Sequence, residues 1–180
     1  MQFIPYAKRG AVFVAGLVLS ACASMSEQEC LVVDWNDKGM RDGRDGQPIS
    51  YVEEHREACA KVGVQPDLAQ YRAGHAIGIK EYCTPENGLR EGRLGHWYKR
   101  SCPAALEGRF MDAYQNGQRV YSAQQRVNQL DMELSNLQRK LDQARDDDAR
   151  KRARDDLSEM DRRLRRARDD LYDAERRARY

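Results

Sequence analysis

Cysteine is the residue type with the clearest chemistry in this 180-residue chain, which holds five. Cys22 ends the stretch Leu19-Ser20-Ala21-Cys22, and small residues leading to a cysteine behind an apolar run are what cleavage and lipid attachment at that thiol require. Cys30, Cys59, Cys83 and Cys102 remain, an even set that in an exported chain implies two disulfides worth about 2–4 kcal/mol each. Four cysteines permit three pairings. Cys30 with Cys59 and Cys83 with Cys102 is the expected one, because each bridge closes a compact unit through a short loop, and the other arrangements stay open. Zinc is the competing chemistry, with His55 and Cys59 at i and i+4 on one helical face. The chain has no CxxC or HExxH spacing, so no metal site is expected. Asp34, Asn36, Asp42 and Asp45 could be taken for a calcium loop, but Lys38 occupies an oxygen-ligand position and Asp45 falls where a bidentate Glu belongs.

Catalysis has few candidates. Only His55, His75 and His96 could act as bases near neutral pH, and no GxSxG or comparable nucleophile motif is present. No catalytic residue, no cofactor and no enzymatic role are therefore expected. Trp97-Tyr98 could stack on a sugar or another flat ligand, although an aromatic pair in a small core is the commoner use. A periplasmic ligand-binding module built on Trp97, Tyr98 and the glycine-rich turns around them is the alternative to a structural or protein-interaction role.

The elements that must position these residues begin with the leader. Lys8 and Arg9 precede an apolar run over residues 11–19, about half of the ~20 residues that a membrane-spanning helix needs. The pattern predicts a signal peptide over 1–21 and a lipidated tether over 22–29, with the membrane as partner through acyl chains such as palmitate on Cys22. Ala23, not Asp, follows the cysteine, which resembles the outer-membrane sorting pattern of Gram-negative lipoproteins and implies a protein facing the periplasm. Residues 23–29 span at most ~25 Å when fully extended.

Residues 30–103 read as a Cys-stapled, Gly-rich helical domain. Eleven Lys and Arg balance eleven Asp and Glu there, so nothing steers this segment to nucleic acid. Ser50-Tyr51-Val52-Glu53 matches a capping box and predicts a helix to about Val62 with Gly63 as its stop. Asp67 should cap a second helix through about Tyr82, followed by a turn at Thr84-Pro85-Glu86-Asn87-Gly88 and an irregular stretch to Arg100. Pro103 suits a helix's first turn. Glycine costs about 1 kcal/mol inside a helix relative to alanine, so Gly39/Gly43 and Gly74/Gly78 predict close approach of two helices.

The series Cys30…Trp35…Gly39…Asp42-Gly43…Gly46, Cys59…Gly63…Pro66-Asp67…Tyr71…Gly74…Gly78 and Tyr82-Cys83-Thr84-Pro85-Glu86-Asn87-Gly88…Gly92…Gly95…Tyr98…Cys102-Pro103 carries a resemblance. Over roughly residues 30–120 the chain resembles a bacterial lipoprotein family, domain of unknown function 2799. The family has no assigned activity, so the resemblance implies an envelope address and a cysteine framework and supplies no substrate.

After Gly117 no Gly or Pro occurs for sixty-three residues, and residues 104–180 read as a long charged helix. Val127, Leu130, Leu134, Leu137, Leu141 and Ala144 keep one heptad seam; Leu157, Met160, Leu164, Ala167, Leu171, Ala174 and Ala178 keep another, out of phase with the first. Asp146-Asp147-Asp148 with Arg150-Lys151-Arg152 would support an exposed helix through i,i+4 pairs, which favours one continuous helix; a fold-back near 146–150 into an antiparallel hairpin is the alternative. Residues 119–180 carry seventeen basic and fourteen acidic residues, a solvated face. The expected fold class is mainly α. The expected role is that of an envelope lipoprotein whose residues 119–180 meet a second copy or another envelope protein.

Overall fold

The protein is described by a computed structural model over residues 24–179; the predicted signal peptide and lipid site Cys22 lie outside the described residues. Within them seven α-helices and no strands form: α1 (Glu27–Val32), α2 (Trp35–Arg44), α3 (Val52–Cys59), α4 (Leu68–Tyr82), α5 (Pro85–Arg93), α6 (Ala104–Gln143) and α7 (Asp147–Arg177). The main packing partners are α2 with α4, α5 with α6, and α6 with α7. Cys30 is bridged to Cys59 and Cys83 to Cys102, with Cα atoms 5.4 and 5.7 Å apart.

Glycine decides the first two pairings. A Cβ placed on Gly43 would stand 2.6 Å from the Ile79 amide nitrogen and 2.7 Å from the His75 carbonyl oxygen, and Gly39, Gly74 and Gly78 face backbone just as closely. The crossing is therefore made backbone to backbone. The same device recurs in α5 and α6, where a Cβ on Gly117 would stand 2.7 Å from the Arg93 nitrogen and Gly88 and Gly92 meet the Phe110 and Tyr114 carbonyls. Gly39-Met40-Arg41-Asp42-Gly43-Arg44-Asp45-Gly46 and Gly88-Leu89-Arg90-Glu91-Gly92-Arg93-Leu94-Gly95 are thus two copies of one unit. Each ends on a left-handed glycine, Gly46 at φ 68° and Gly95 at φ 71°, seated against the ring of Tyr82 or Tyr121. In each, the next carbonyl takes a hydrogen bond from the partner helix: Gln47 from His75 Nε2 (2.8 Å), His96 from the Tyr114 hydroxyl (2.6 Å). Each unit has its own core and its own disulfide. Met25, Trp35, Val52 and Tyr71 pack around Cys30–Cys59, and Tyr82, Tyr98, Phe110 and Tyr114 around Cys83–Cys102.

Several sequence expectations change. Ser50 caps nothing: residues 49–51 form a 3₁₀ turn before α3, and the helix loosens again to 3₁₀ over Ala60–Val62 before Gly63 stops it at φ 72°. A reciprocal capping box forms instead between Ser26 and Glu29 at the start of α1. Residues 24–29, expected as tether, are folded, with Met25 buried. Asp67 caps α4 as expected, accepting from the Ala69 and Gln70 amides. Thr84-Pro85-Glu86-Asn87-Gly88 is no free turn. Thr84 caps α5 by accepting from the Asn87 amide and Pro85 takes the first helical position, so part of the stretch expected to be irregular is helix.

Nor is the C-terminal helix continuous. Asp146 accepts from the Ala149 amide at 2.7 Å and caps α7, Asp147 and Asp148 fill its acidic first turn, and the Arg150 guanidinium donates to the Ala144 carbonyl. The run expected to carry a helix through is a helix start. Folding back lets the two seams cover each other: Val127 and Leu130 are buried against Met160, Leu164 and Ala167, with Leu134, Leu137 and Leu171 at the margins. Burying such side chains is worth about 1.5–3 kcal/mol each, far more than the few tenths from each surface ion pair along a continuous helix. A repeat, Arg152-Ala153-Arg154-Asp155-Asp156-Leu157 and Arg166-Ala167-Arg168-Asp169-Asp170-Leu171, keeps α7 in one register, since 166 − 152 = 14 is two heptads. The two heptad seams are thus closed on each other within the chain.

Two substitutions separate the glycine crossing from ordinary helix propensity. Gly78→Ala should lower unfolding stability by about 2 kcal/mol or more, because the obstructing atoms are backbone and cannot give way. Gly108→Ala, with nothing near its Cβ position, should be neutral or stabilise by up to about 1 kcal/mol. Chemical denaturation of both variants checks the pair. For the hairpin, Leu164→Asp should remove a large part of the helical circular-dichroism signal while the Cys83–Cys102 unit keeps its near-ultraviolet aromatic spectrum.

Candidate functional site

Two constellations stand out from the folded body. The first is a buried polar chain. Asp42, on the α2 face turned to α4, is 3% exposed, yet its carboxylate is fully engaged. Oδ2 accepts from His55 Nε2 at 2.7 Å and from the Tyr71 hydroxyl at 2.9 Å, and Oδ1 pairs with Lys38 Nζ at 3.2 Å. Burial alone would raise the Asp42 carboxyl. The hydrogen bonds from His55 and Tyr71 and the Lys38 charge outweigh it and hold the group below the usual carboxylate range. Tyr71 is driven the other way, its phenol pushed up by burial and by the adjacent Asp42 charge.

The ionised Asp42 only accepts, so His55 Nε2 carries a proton, and in the neutral ring Nδ1 is left to accept from the Ser24 hydroxyl at 2.8 Å. Ser24, His55 and Asp42 therefore have the connectivity of a charge-relay triad. As positioned, the set works as a latch. His55 is wholly buried, and the clefts lined by Lys80, Leu106 and Arg109 (about 450 Å³) and by Arg44, Glu81 and Asn87 (about 500 Å³) include neither His55 nor Ser24. What the arrangement does is fasten the N-terminal end of the described chain to the core of the first unit.

The second constellation is the loop from Arg93 to Cys102. Trp97 and Tyr98, expected as one platform, part company here. Tyr98 is 6% exposed, its ring tilted against Phe110 with centres 4.9 Å apart, donating to Glu107 at 3.2 Å and accepting from the Cys102 amide at 3.0 Å. Trp97 is 85% exposed. The loop thus buries one ring of the pair and leaves the other in solvent. Lys99 donates to the Gln47 side chain at 2.7 Å, and Arg100 sits at φ 54°, a conformation that costs a non-glycine residue of order 1 kcal/mol.

The remaining sequence candidates are placed as follows. Cys59 is bonded to Cys30, so it does not join His55 as a metal ligand, and among the described residues no cluster of His, Cys, Asp and Glu has a metal-holding arrangement. Asp34 caps α2 through the Asn36 and Asp37 amides, and Asp42 points into the core, so the acids read as a calcium loop do not converge. His75 is buried on Gln47, and His96 lies at the surface on Glu91 at 2.9 Å. The Ser24–His55–Asp42 chain was missed. The acid before the second glycine in both copies, Asp42 and Glu91, was the available signal, since each of the two meets a histidine.

Residues 34–119 match the model of a family described as a protein of unknown function, DUF2799. That segment belongs to DUF2799. The match opens at the Asp34 cap of α2 and closes just past Gly117, so the DUF2799 segment contains both glycine crossings, Asp42, His55 and the Trp97 loop. Ser24, Cys30 and the outer hairpin lie beyond it. No curated protein and no solved structure matches the chain.

The latch makes a pH-dependent prediction. Asp42 has a depressed pKa in the fold, so its contribution is present above the unfolded-state value near 4 and is lost as pH falls through the lower folded value. Asp42→Asn should cost about 2–4 kcal/mol at pH 7, because His55 and Lys38 lose their buried partner. The difference from wild type should shrink below about pH 4. Urea titrations at pH 7 and pH 3 measure it; an unchanged gap at both would mean the carboxylate charge is not what the site uses.

Proposed function

We propose that this chain is a cell-envelope lipoprotein with a structural or protein-interaction role, held through acyl chains on Cys22 at the outer membrane and facing the periplasm. The observation that carries the reading is how closely the chain is fastened beside Cys22. Ser24 is bonded to His55 and Met25 is buried, so a lipid on Cys22 would sit within ~7 Å of chain from a residue held by the folded body. A body fastened so near its anchor rides on the lipid surface, where several acyl chains hold far more firmly than one.

The hairpin is the part suited to meeting a partner. Residues 122–143 of α6 run roughly 33 Å past Tyr121, the last ring seated on the second glycine unit. Along the hairpin Met132 and Tyr172, each 64% exposed, stand among charged side chains. No described helix is long and apolar enough to cross a membrane.

Labelling cells with a clickable palmitate analogue should mark the wild-type chain and leave Cys22→Ser unmarked. A version exported by a cleavable signal ending before Ala23 should then be released to the soluble periplasmic fraction by a 1 M salt wash that leaves the wild type on membranes. Absence of label on Cys22, or a salt-resistant Ala23 version, would overturn the anchor.

A further inference from the structure

Large apolar side chains gather in water at one turn of the folded body. Around Gly95, Leu94 is 54% exposed, Trp97 85% and Tyr121 38%. The reason lies in the duplication. In the first unit the equivalent ring, Tyr82 on Gly46, is 8% exposed because the second unit lays Phe110 against it, ring centres 5.3 Å apart. Among the described residues the hairpin, not a third such unit, follows the second, so Tyr121 and the turn beside it are an open end of the array, which repeat proteins ordinarily finish with a polar surface.

The open end is also cationic. Residues 92–101 contain Arg93, Lys99 and Arg100 and no Asp or Glu. Two acids touch the loop and are already paired there, Glu91 with His96 at 2.9 Å and with Arg90 at 3.3 Å, and Glu107 with the Tyr98 hydroxyl. Rigidity is the third feature. The left-handed Gly95 and Arg100, the Tyr98 and Tyr114 hydrogen bonds and the Cys83–Cys102 bridge fix the loop with its indole outward.

We propose that the loop over residues 93–100 is a membrane-contact site for an anionic lipid leaflet, with Trp97 and Leu94 entering the headgroup region and Arg93, Lys99 and Arg100 meeting lipid phosphates. Charge complementarity selects this occupant, since a loop that carries three cations and an exposed indole matches an anionic interface. Shape agrees: the indole projects, and the clefts at Lys80–Arg109 and at Arg44–Arg90 do not include it, whereas a small ligand needs a concavity. The site is wired to the proposed anchor. Lys99 bonds Gln47, the Gln47 amide bonds the Asp42 carbonyl at 2.9 Å, and Asp42 holds His55 and through it Ser24. The inference deepens the lipoprotein reading by giving the body a second contact that orients it on the lipid.

The test uses the non-acylated chain from Ala23 onward, so that its outcome does not depend on Cys22, with vesicles of phosphatidylethanolamine and phosphatidylglycerol beside vesicles of phosphatidylcholine. Tryptophan emission should move to shorter wavelength with the anionic vesicles only. Trp97→Phe, which leaves the buried Trp35 as the sole tryptophan, should abolish the shift. Trp97→Ala and Lys99→Glu/Arg100→Glu should each weaken co-sedimentation about tenfold or more, the second because each cation near an anionic surface is worth about fivefold. Raising the salt to 0.5 M should release the wild type. No shift up to millimolar lipid, equal binding to both vesicle types, unchanged binding by Trp97→Ala, or a shift with an anionic polysaccharide and none with vesicles would each overturn the proposal.

Discussion

Where α2 crosses α4, carbonyls of one helix stand where side chains of the other would be, and no residue with a Cβ can replace Gly39, Gly43, Gly74 or Gly78 without driving the helices apart. Everything else in the body is arranged around that contact and its copy between α5 and α6. Close approach removes side chains from the seam, so little apolar area is buried per helix, and each unit supplements its thin core with one disulfide and a cluster of rings. It also brings the α2 face carrying Asp42 against Tyr71 of α4, and with His55 of α3 the buried carboxylate is fully bonded. In the second copy the equivalent of Tyr71 is Phe110, which has no hydroxyl to offer, and Glu91 pairs instead with the exposed His96. One unit became a polar anchor and the other an aromatic one.

The two copies divide the labour of the molecule. The first receives the N-terminal chain through Ser24 and caps the array with α1 and α3. The second gives its long helix to a hairpin and leaves its last turn uncovered, with Trp97 in water. Under the proposed lipid anchor, such polarity would separate the end fastened near Cys22 from the hairpin proposed to meet a partner. The hairpin is the least insulated part. Two helices alone bury a narrow stripe, so Leu134, Leu137 and Leu171 stay at its margin, and its ion pairs, Arg168 with Asp131 and Arg163 with Glu133, are exposed and worth little.

What could be read from the sequence followed from local rules. Asp67 capping α4, Gly63 stopping the segment before it, the close-packed glycine pairs and the favoured cysteine pairing depend on residues near one another or on a simple count. Misreadings came where one residue set serves two local grammars. Thr84-Pro85 and Asn87-Gly88 are turn residues and equally a helix cap and first turn; Asp146 to Asp148 before Arg150 to Arg152 is a ladder of surface pairs and equally a helix start. In both cases packing decided, since α5 must present Gly88 and Gly92 to α6 and the two heptad seams must be covered. The Ser24–His55–Asp42 chain was illegible for a different reason: its members are 31 and 13 residues apart, and only the tertiary fold brings them together. Trp97 and Tyr98 looked like one platform because sequence adjacency says nothing of which neighbour is pinned inward.

A body organised by two backbone-to-backbone crossings, carrying a hairpin as an appendage, has a specific signature in native-state hydrogen exchange. Amides of α2, α4 and α5 and of α6 up to Gly117 should exchange only through global unfolding, slowest of all. Amides of α6 beyond Tyr121 and of α7 should open separately and orders of magnitude faster. Exchange that is uniform along α6, or slowest in the hairpin, would contradict the account and make the hairpin the element on which the fold depends.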